Sequence, residues 1–98
     1  MKQILFHPEI EEEIASAMDY YEEVSGTELA NEFHYELIAA FHRAAETPTR
    51  FHPVTDTLRR VNLKRFTYHF LFSELSDRIR ILVFRHHRRD PEHGMDRE

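Results

Sequence analysis

The chain has 98 residues, 41% hydrophobic and 32% charged, which predicts one globular domain over residues 1–98 and not a disordered segment. It contains no cysteine, which excludes disulfides, thiolate catalysis and cysteine-based zinc sites. The net charge of −5 is uneven: residues 1–47 hold two cations against eleven carboxylates, and residues 48–98 hold eleven cations against seven. This asymmetry is equally consistent with ordinary solvation of helices and strands and with a basic face that meets an anionic partner.

The longest apolar runs have four or five residues, which is far short of a membrane span. The first nine residues contain one lysine and no long apolar segment, so they do not resemble a signal peptide. We therefore expect a cytoplasmic protein without a membrane partner.

The first half of the chain predicts one strand and two helices. Lys2–Phe6 is a short apolar strand closed by His7-Pro8. Apolar residues recur at helical spacing from about residue 8 to 24, and again from about 28 to 46. Ser25-Gly26 separates the two segments, because glycine is favoured just past a helix end. Two amphipathic helices with so short a connection predict an αα-hairpin that lies on a sheet.

The second half predicts three strands after a proline-containing loop. Apolar and polar residues alternate from Leu58 to Arg65, a second strand runs from Tyr68 to Ser73, and a third includes Ile79–Phe84. Short connections between them predict an antiparallel meander. The expected fold is therefore α+β, in the order β-α-α-β-β-β, with the helices packed on one face of the sheet. The polar residues 91–98 are expected to form a frayed tail.

The last strand is the feature around which a functional surface is expected. It has the apolar composition of a central strand and delivers a block of cations and imidazoles to the sheet edge. The candidate surface comprises Arg85, His86, Arg88 and Arg89. Arg89 has an equally good structural role as the partner of Asp90 or of a helix carboxylate. Adjacent histidines on a strand point to opposite faces and no carboxylate completes a ligand set, so we expect neither a metal nor another cofactor.

The order of elements and the residues at their joints resemble the RelE/ParE superfamily of type II toxin–antitoxin toxins, nearer the ParE branch than the RelE branch. The similarity extends from about Phe6 to Pro91 and rests on several segments in order. These are His7-Pro8-Glu9, Tyr20-Tyr21-Glu22, Leu63-Lys64-Arg65-Phe66-x-Tyr68 and Val83-Phe84-x-His86-x-x-Arg89-Asp90-Pro91. Two positions depart from the family pattern: Thr67 replaces a usual proline, and no aromatic residue follows Pro91.

The resemblance implies three alternative functions. A ParE-like toxin inhibits DNA gyrase and needs no catalytic group. A RelE-like toxin is a metal-free endoribonuclease that cuts messenger RNA in the ribosome, with Arg60, His69 and Arg89 as the catalytic candidates. The basic residue expected at one RelE position is Asn62, which cannot supply its charge. The third alternative is a degenerate relative that keeps only antitoxin binding.

The resemblance also implies a cognate antitoxin, of the ribbon-helix-helix type, whose C-terminal segment folds on this chain in a toxin–antitoxin hetero-oligomer. We expect an acidic amphipathic segment to bind exposed apolar helix residues together with the basic residues Arg59, Arg60 and Lys64.

Overall fold

Two long helices and a five-stranded sheet form the fold of this computed structural model, which describes residues 1–97. The helices are α1 (Ile10–Ser25) and α2 (Thr27–Glu46). The strands are β1 (Gln3–Phe6), β2 (His52–Pro53), β3 (Arg59–Asn62), β4 (Tyr68–Glu74) and β5 (Arg78–His86). A 3₁₀ turn, Pro48–Arg50, follows α2. The predicted α+β class, with a helix hairpin on one face of the sheet, is confirmed.

The hairpin depends on Gly26, which lies between the two helices. Its φ of +89° and ψ of 173° belong to a backbone region that residues with a Cβ rarely adopt. Its backbone N–H donates to the carbonyl oxygen of Glu22 and so ends α1. The second helix then returns along the first with its apolar face on the sheet. That face consists of Ala30, Phe33, Leu37, Ala40, Phe41, Ala44 and Ala45.

The sheet order is β1-β5-β4-β3-β2, so the last strand in the chain lies near its centre. It pairs in parallel with β1 and antiparallel with β4. A bulge makes Phe72 of β4 face Ile81 while the neighbouring Leu71 faces Val83, and Leu82 is the extra residue. As a result, β5 contributes two consecutive residues, Leu82 and Val83, to an apolar cluster on the sheet face away from the helices.

Two boundaries differ from the sequence prediction. The strand expected over residues 58–65 is only β3, because the carboxylate of Glu36 on α2 accepts the backbone N–H groups of Lys64 and Arg65 and holds them in a turn. The loop before it contains a two-residue edge strand, β2, whose Pro53 is tolerated because an edge strand need not donate on both sides.

The main core lies between the helices and the sheet and is rich in aromatic residues. Phe33 of α2 is fully buried, and its ring centroid is 5.1 Å from that of Phe66 and 6.1 Å from that of Phe84. Each such ring contributes about 1.5–3 kcal/mol by burial, with a further gain of about 0.5–1.5 kcal/mol for each edge-to-face pair. No helix within residues 1–97 is long and apolar enough to cross a membrane.

The expectation of a frayed tail does not hold for residues 91–97. This segment forms successive turns against the sheet, and Met95 packs on the second apolar cluster, formed by Leu58, Leu71, Leu82 and Val83. Gly94, at φ +79°, lets the backbone approach Val83 closely. Arg97 fastens the end of the segment to α1, as described below. The contacts that order the tail come from residues distant in sequence, so local composition alone does not predict them.

Candidate functional site

Several of the predicted functional residues meet on the face of the sheet away from the helices, which we call the open face. The strand register places His69 of β4 between Asn62 of β3 and Arg85 of β5. Arg60, two residues before Asn62, and His87, just after β5, complete the group by side-chain contacts. We call Arg60, Asn62, His69, Arg85 and His87 the open-face cluster.

The hydrogen bonds of this cluster have a fixed direction. An arginine Nε–H can only donate, and the Nε of Arg85 lies 3.0 Å from the Nε2 of His69, so that His69 nitrogen is the acceptor. Neutral His69 therefore has its proton on Nδ1, which donates over 2.9 Å to the Nδ1 of His87. His87 in turn holds its own proton on Nε2. Arginine thus sets the tautomer of both histidines.

His69 is the one buried polar side chain of the described core, with 2% of its surface exposed. Burial, with the charges of Arg60 and Arg85 in support, lowers its pKa from 6.5 to about 3. Burial and Arg60 also lower the pKa of His87. The two imidazoles are therefore neutral at physiological pH, and both nitrogens of His69 are engaged in hydrogen bonds.

The tail holds Arg85 in place from the other side. One guanidinium nitrogen of Arg85 donates to the carbonyl oxygens of Pro91, at 2.8 Å, and His93, at 2.9 Å. Burial, followed by repulsion from Arg60, lowers the pKa of Arg85, which reflects two cations close together at a half-buried position. The conformation of residues 91–93 consequently determines how Arg85 presents its Nε–H to His69.

An ionic clasp fixes this tail to α1. The guanidinium of Arg97 donates to both oxygens of Glu13, at 2.8 and 2.7 Å, and also to the carbonyl oxygen of Leu82. The ring of His93 contacts the same carboxylate at 2.6 Å. Burial opposes ionisation of Glu13, but the hydrogen bonds from Arg97 and His93 outweigh it and lower the carboxyl pKa. The clasp joins residues 80 or more positions apart in the sequence.

His86 and Arg89 belong to a different surface from the open-face cluster. His86 points to the helix side, where its ring meets Tyr68 edge-on at 5.1 Å and its Nε2 lies 2.8 Å from the hydroxyl of Thr67. Arg89 contacts the Nδ1 of His93 at 3.5 Å. Both line a groove of about 270 Å³ at the C-terminal end of β5. We call it the side groove; the residues lining it are Glu13, Ser16, Tyr68, Phe84, Arg85, His86, Arg89 and His93.

Several arginines at or near these two surfaces form no close ion pair. Among residues 1–97, the ion pairs involve Lys2, His7, Arg65, Arg78, His93 and Arg97. Arg60, Arg85, Arg88 and Arg89 make no ion pair within that range. Arg85 belongs to both the open-face cluster and the side groove, so the positive charge is continuous from one to the other.

The structure brings some of the predicted site residues together and keeps others apart. Of the three catalytic candidates, Arg60 and His69 belong to the open-face cluster, whereas Arg89 lines the side groove. The three basic residues expected at the antitoxin surface are dispersed: Arg59 donates to the carbonyl oxygen of Phe51, Arg60 lies on the open face, and Lys64 lies in the turn held by α2.

Sequence reasoning did not include His87 and His93 among the site residues. The alternation of a strand places His87 on the same face as Arg85, and that signal could have identified it. His93 meets Glu13 only because the tail folds back, which no local pattern indicates. Within residues 1–97, no group of three or more histidine, aspartate or glutamate side chains is arranged to hold a metal ion.

A small α+β domain with a cluster of arginines and histidines at the end of its central strand is the class that the fold and these surfaces define. Residues 4–91 match the family described as the ParE toxin of the type II toxin-antitoxin system parDE. Because the match includes most of the chain, this protein belongs to that family and is the toxin component of a type II toxin–antitoxin system. None of the curated protein sequences compared with it matches significantly.

The structure is also similar to a solved chain described as the chromosomal ParDE TA system from P. aeruginosa. The TM-score is 0.76, with 15% sequence identity, and the alignment includes 88% of this chain and 96% of the other. At this level of identity the similarity shows a common fold.

Proposed function

We propose that this toxin acts in the bacterial cytoplasm by binding and inhibiting DNA gyrase, without cutting nucleic acid itself. The observation that carries the proposal is the hydrogen-bond pattern of His69. A general base needs a free lone pair within reach of its substrate. The Nε2 lone pair of His69 accepts from Arg85, its Nδ1 donates to His87, and the ring is buried. This pattern supports a surface that binds over one that abstracts a proton.

Two basic residues that follow the open-face cluster in the sequence, Arg88 and Arg89, are suited to bind a negatively charged partner. Arg88 and Arg89 are exposed and make no ion pair within residues 1–97. Charges at the rim of an interface chiefly raise the association rate and its dependence on salt. Arg88 and Arg89 are therefore the residues whose loss should weaken gyrase binding without disturbing the core.

Purified protein tests this proposal in a DNA supercoiling assay with gyrase. We expect inhibition by the wild type, weaker inhibition by the double variant Arg88→Ala/Arg89→Ala, and unchanged inhibition by Arg50→Ala, an exposed arginine near β2. In cells, induction should activate the DNA damage response. Ribosome-dependent cleavage of messenger RNA with unaffected supercoiling would instead favour the RelE-like alternative, and normal growth after induction the degenerate one.

We further propose that the cognate antitoxin is of the ribbon-helix-helix type and inserts its C-terminal segment along the helix hairpin. Tyr35 and Ile38 of α2 are exposed apolar residues, as is Phe6 of β1. Phe6 and Ile38 line a groove of about 340 Å³ together with Ile10, Glu11, Ile14, His34 and Phe41, which we call the hairpin groove. Apolar grooves of this type bind amphipathic helices.

Co-purification with the protein encoded by the adjacent reading frame tests antitoxin binding. We expect Tyr35→Ala and Ile38→Ala to weaken the complex and to prevent neutralisation of toxicity. Val54→Ala, which truncates an exposed apolar residue in the loop before β3, is the matched control and should bind like the wild type. Equal binding by all three variants would place the antitoxin elsewhere.

A further inference from the structure

The residues in and around the hairpin groove favour one charge for the segment that binds there. Its apolar lining comes from α1, α2 and β1, with Phe6 48% and Ile38 36% exposed. Glu11 and His34 are its two polar lining residues. A segment that binds in this groove therefore needs apolar side chains that pack on the apolar lining. Residues beside that apolar face lie next to the charged side chains around the groove.

The helix hairpin that forms this groove is strongly acidic, and Glu11 lies in the lining itself. The two helices contain ten carboxylates and one cation, Arg43. Glu13 is held by Arg97, Glu32 by Arg65, and Glu36 by backbone N–H groups after β3. The other seven carboxylates make no ion pair within residues 1–97: Glu11, Glu12, Asp19, Glu22, Glu23, Glu28 and Glu46.

The basic residues expected to attract an acidic segment are not at this groove. Arg59 is turned to Phe51, Arg60 is bonded to Asn62 on the open face, and Lys64 lies in the turn before β4. An acidic segment in the hairpin groove would meet like charges on α1, which is unfavourable.

We infer that the segment that occupies the hairpin groove is an amphipathic helix with lysine or arginine residues flanking its apolar face. The inference rests on the proposed antitoxin binding and reverses the charge that the sequence alone suggested for that partner. Electrostatic attraction to Glu11 in the lining, to Glu12 beside it and to the overall negative charge of the hairpin would raise the association rate and select against acidic segments.

Binding of the protein encoded by the adjacent reading frame, measured by calorimetry at low and high salt, tests the charge. The double variant Glu11→Lys/Glu12→Lys should bind about tenfold more weakly at low salt than the wild type, and the difference should shrink at high salt. The milder Glu11→Gln/Glu12→Gln should show a smaller loss of the same sign. The matched control Asp56→Lys/Asp77→Lys has the same change of charge in two exposed turns away from the groove and should bind like the wild type.

Each other outcome overturns the inference in an identifiable way. Unchanged or tighter binding by the lysine variant, with wild-type binding intact, rejects the basic segment while antitoxin binding stands. Absence of binding by the wild type rejects both the inference and the proposed antitoxin. A dimer of this chain that Ile38→Glu dissociates would show that a second copy occupies the groove.

Discussion

Lowering the pH from 8 to 5 should destabilise the fold by about 2 kcal/mol through His69 alone. In the folded chain His69 takes up its proton only near pH 3, whereas the unfolded chain does so near 6.5. Between these values the unfolded state binds more protons, so stability falls as the pH falls. The pH interval from 6.5 to 5 is one and a half units, and each unit contributes about 1.36 kcal/mol, which gives the stated loss.

Urea unfolding at pH 5, 6, 7 and 8 measures this dependence. In His69→Gln the amide oxygen can accept from Arg85 and the amide nitrogen can donate to His87, so the hydrogen-bond directions are kept without a titrating group. We expect the free energy of unfolding of this variant to change by about 2 kcal/mol less between pH 8 and pH 5 than that of the wild type, whatever its stability at pH 8. His52→Gln, at an exposed histidine of β2, should keep the wild-type dependence.

A wild-type slope in His69→Gln would refute the reasoning, because it would mean that folded His69 accepts a proton as readily as the unfolded chain does. The direction of the hydrogen bonds from Arg85 to His69 to His87 would then also be wrong.

Glu13 also makes the fold less stable as the pH falls, because hydrogen bonds from Arg97 and His93 lower its pKa in the folded chain. That loss of stability occurs chiefly below pH 4.5, the ordinary pKa of the group. The interval above pH 5 therefore isolates the histidines.

Three further predictions concern stability and are measured by urea unfolding. Arg97→Ala should lower the free energy of unfolding by about 2 kcal/mol, because it leaves the partly buried carboxylate of Glu13 without its bidentate partner. Arg88→Ala, at an exposed arginine, should lower it by less than about 0.5 kcal/mol. Gly94→Ala should cost about 1 kcal/mol, because the backbone has φ +79° and a Cβ there would lie 3.1 Å from a methyl group of β5. Phe33→Ala should cost about 4 kcal/mol, whereas Tyr35→Ala on the exposed side of the same helix should cost less than about 0.5 kcal/mol.

Equal losses for Arg97→Ala and Arg88→Ala would show that the clasp adds nothing to the stability of the tail. A neutral Gly94→Ala would mean that the turn relaxes without strain. Similar values for Phe33→Ala and Tyr35→Ala would contradict the placement of α2 on the sheet.

The helices could be predicted closely because their signals are local. The predicted limits of 8–24 and 28–46 compare with Ile10–Ser25 and Thr27–Glu46 in the structure. Helical spacing and one glycine between the helices were sufficient, since both depend on residues a few positions apart. The central strand was equally clear, because β5 is apolar on both faces.

The elements that the sequence did not predict depend on distant contacts. The strand expected to reach Arg65 stops at Asn62 because a carboxylate of α2 holds the following backbone. The ordered tail requires Glu13, which lies 84 residues before Arg97. No window of local periodicity includes both members of such a pair.

The candidate site could be predicted in part for the same reason. Arg85 was selected from its position at the end of a strand, and His69 from the resemblance to RelE-like toxins. Their contact follows from the β4–β5 register, which contains a bulge that sequence pattern alone does not locate. Strand alternation could have placed His87 on the face of Arg85, but its role as the acceptor of the His69 hydrogen bond also depends on that register.

The order of strands has a consequence for how the toxin is made. The last strand, β5, is flanked by β1 from the start of the chain and by β4. During synthesis β1 has no partner strand until β5 has been made, because Gln3 pairs with Arg78 across 75 positions. Until then the edge of β1 and the edge of β4 that β5 will occupy both expose unpaired backbone groups. We therefore expect the insertion of β5 between β1 and β4 to be a late step of folding, and the incomplete sheet to be the form of the toxin most prone to aggregation.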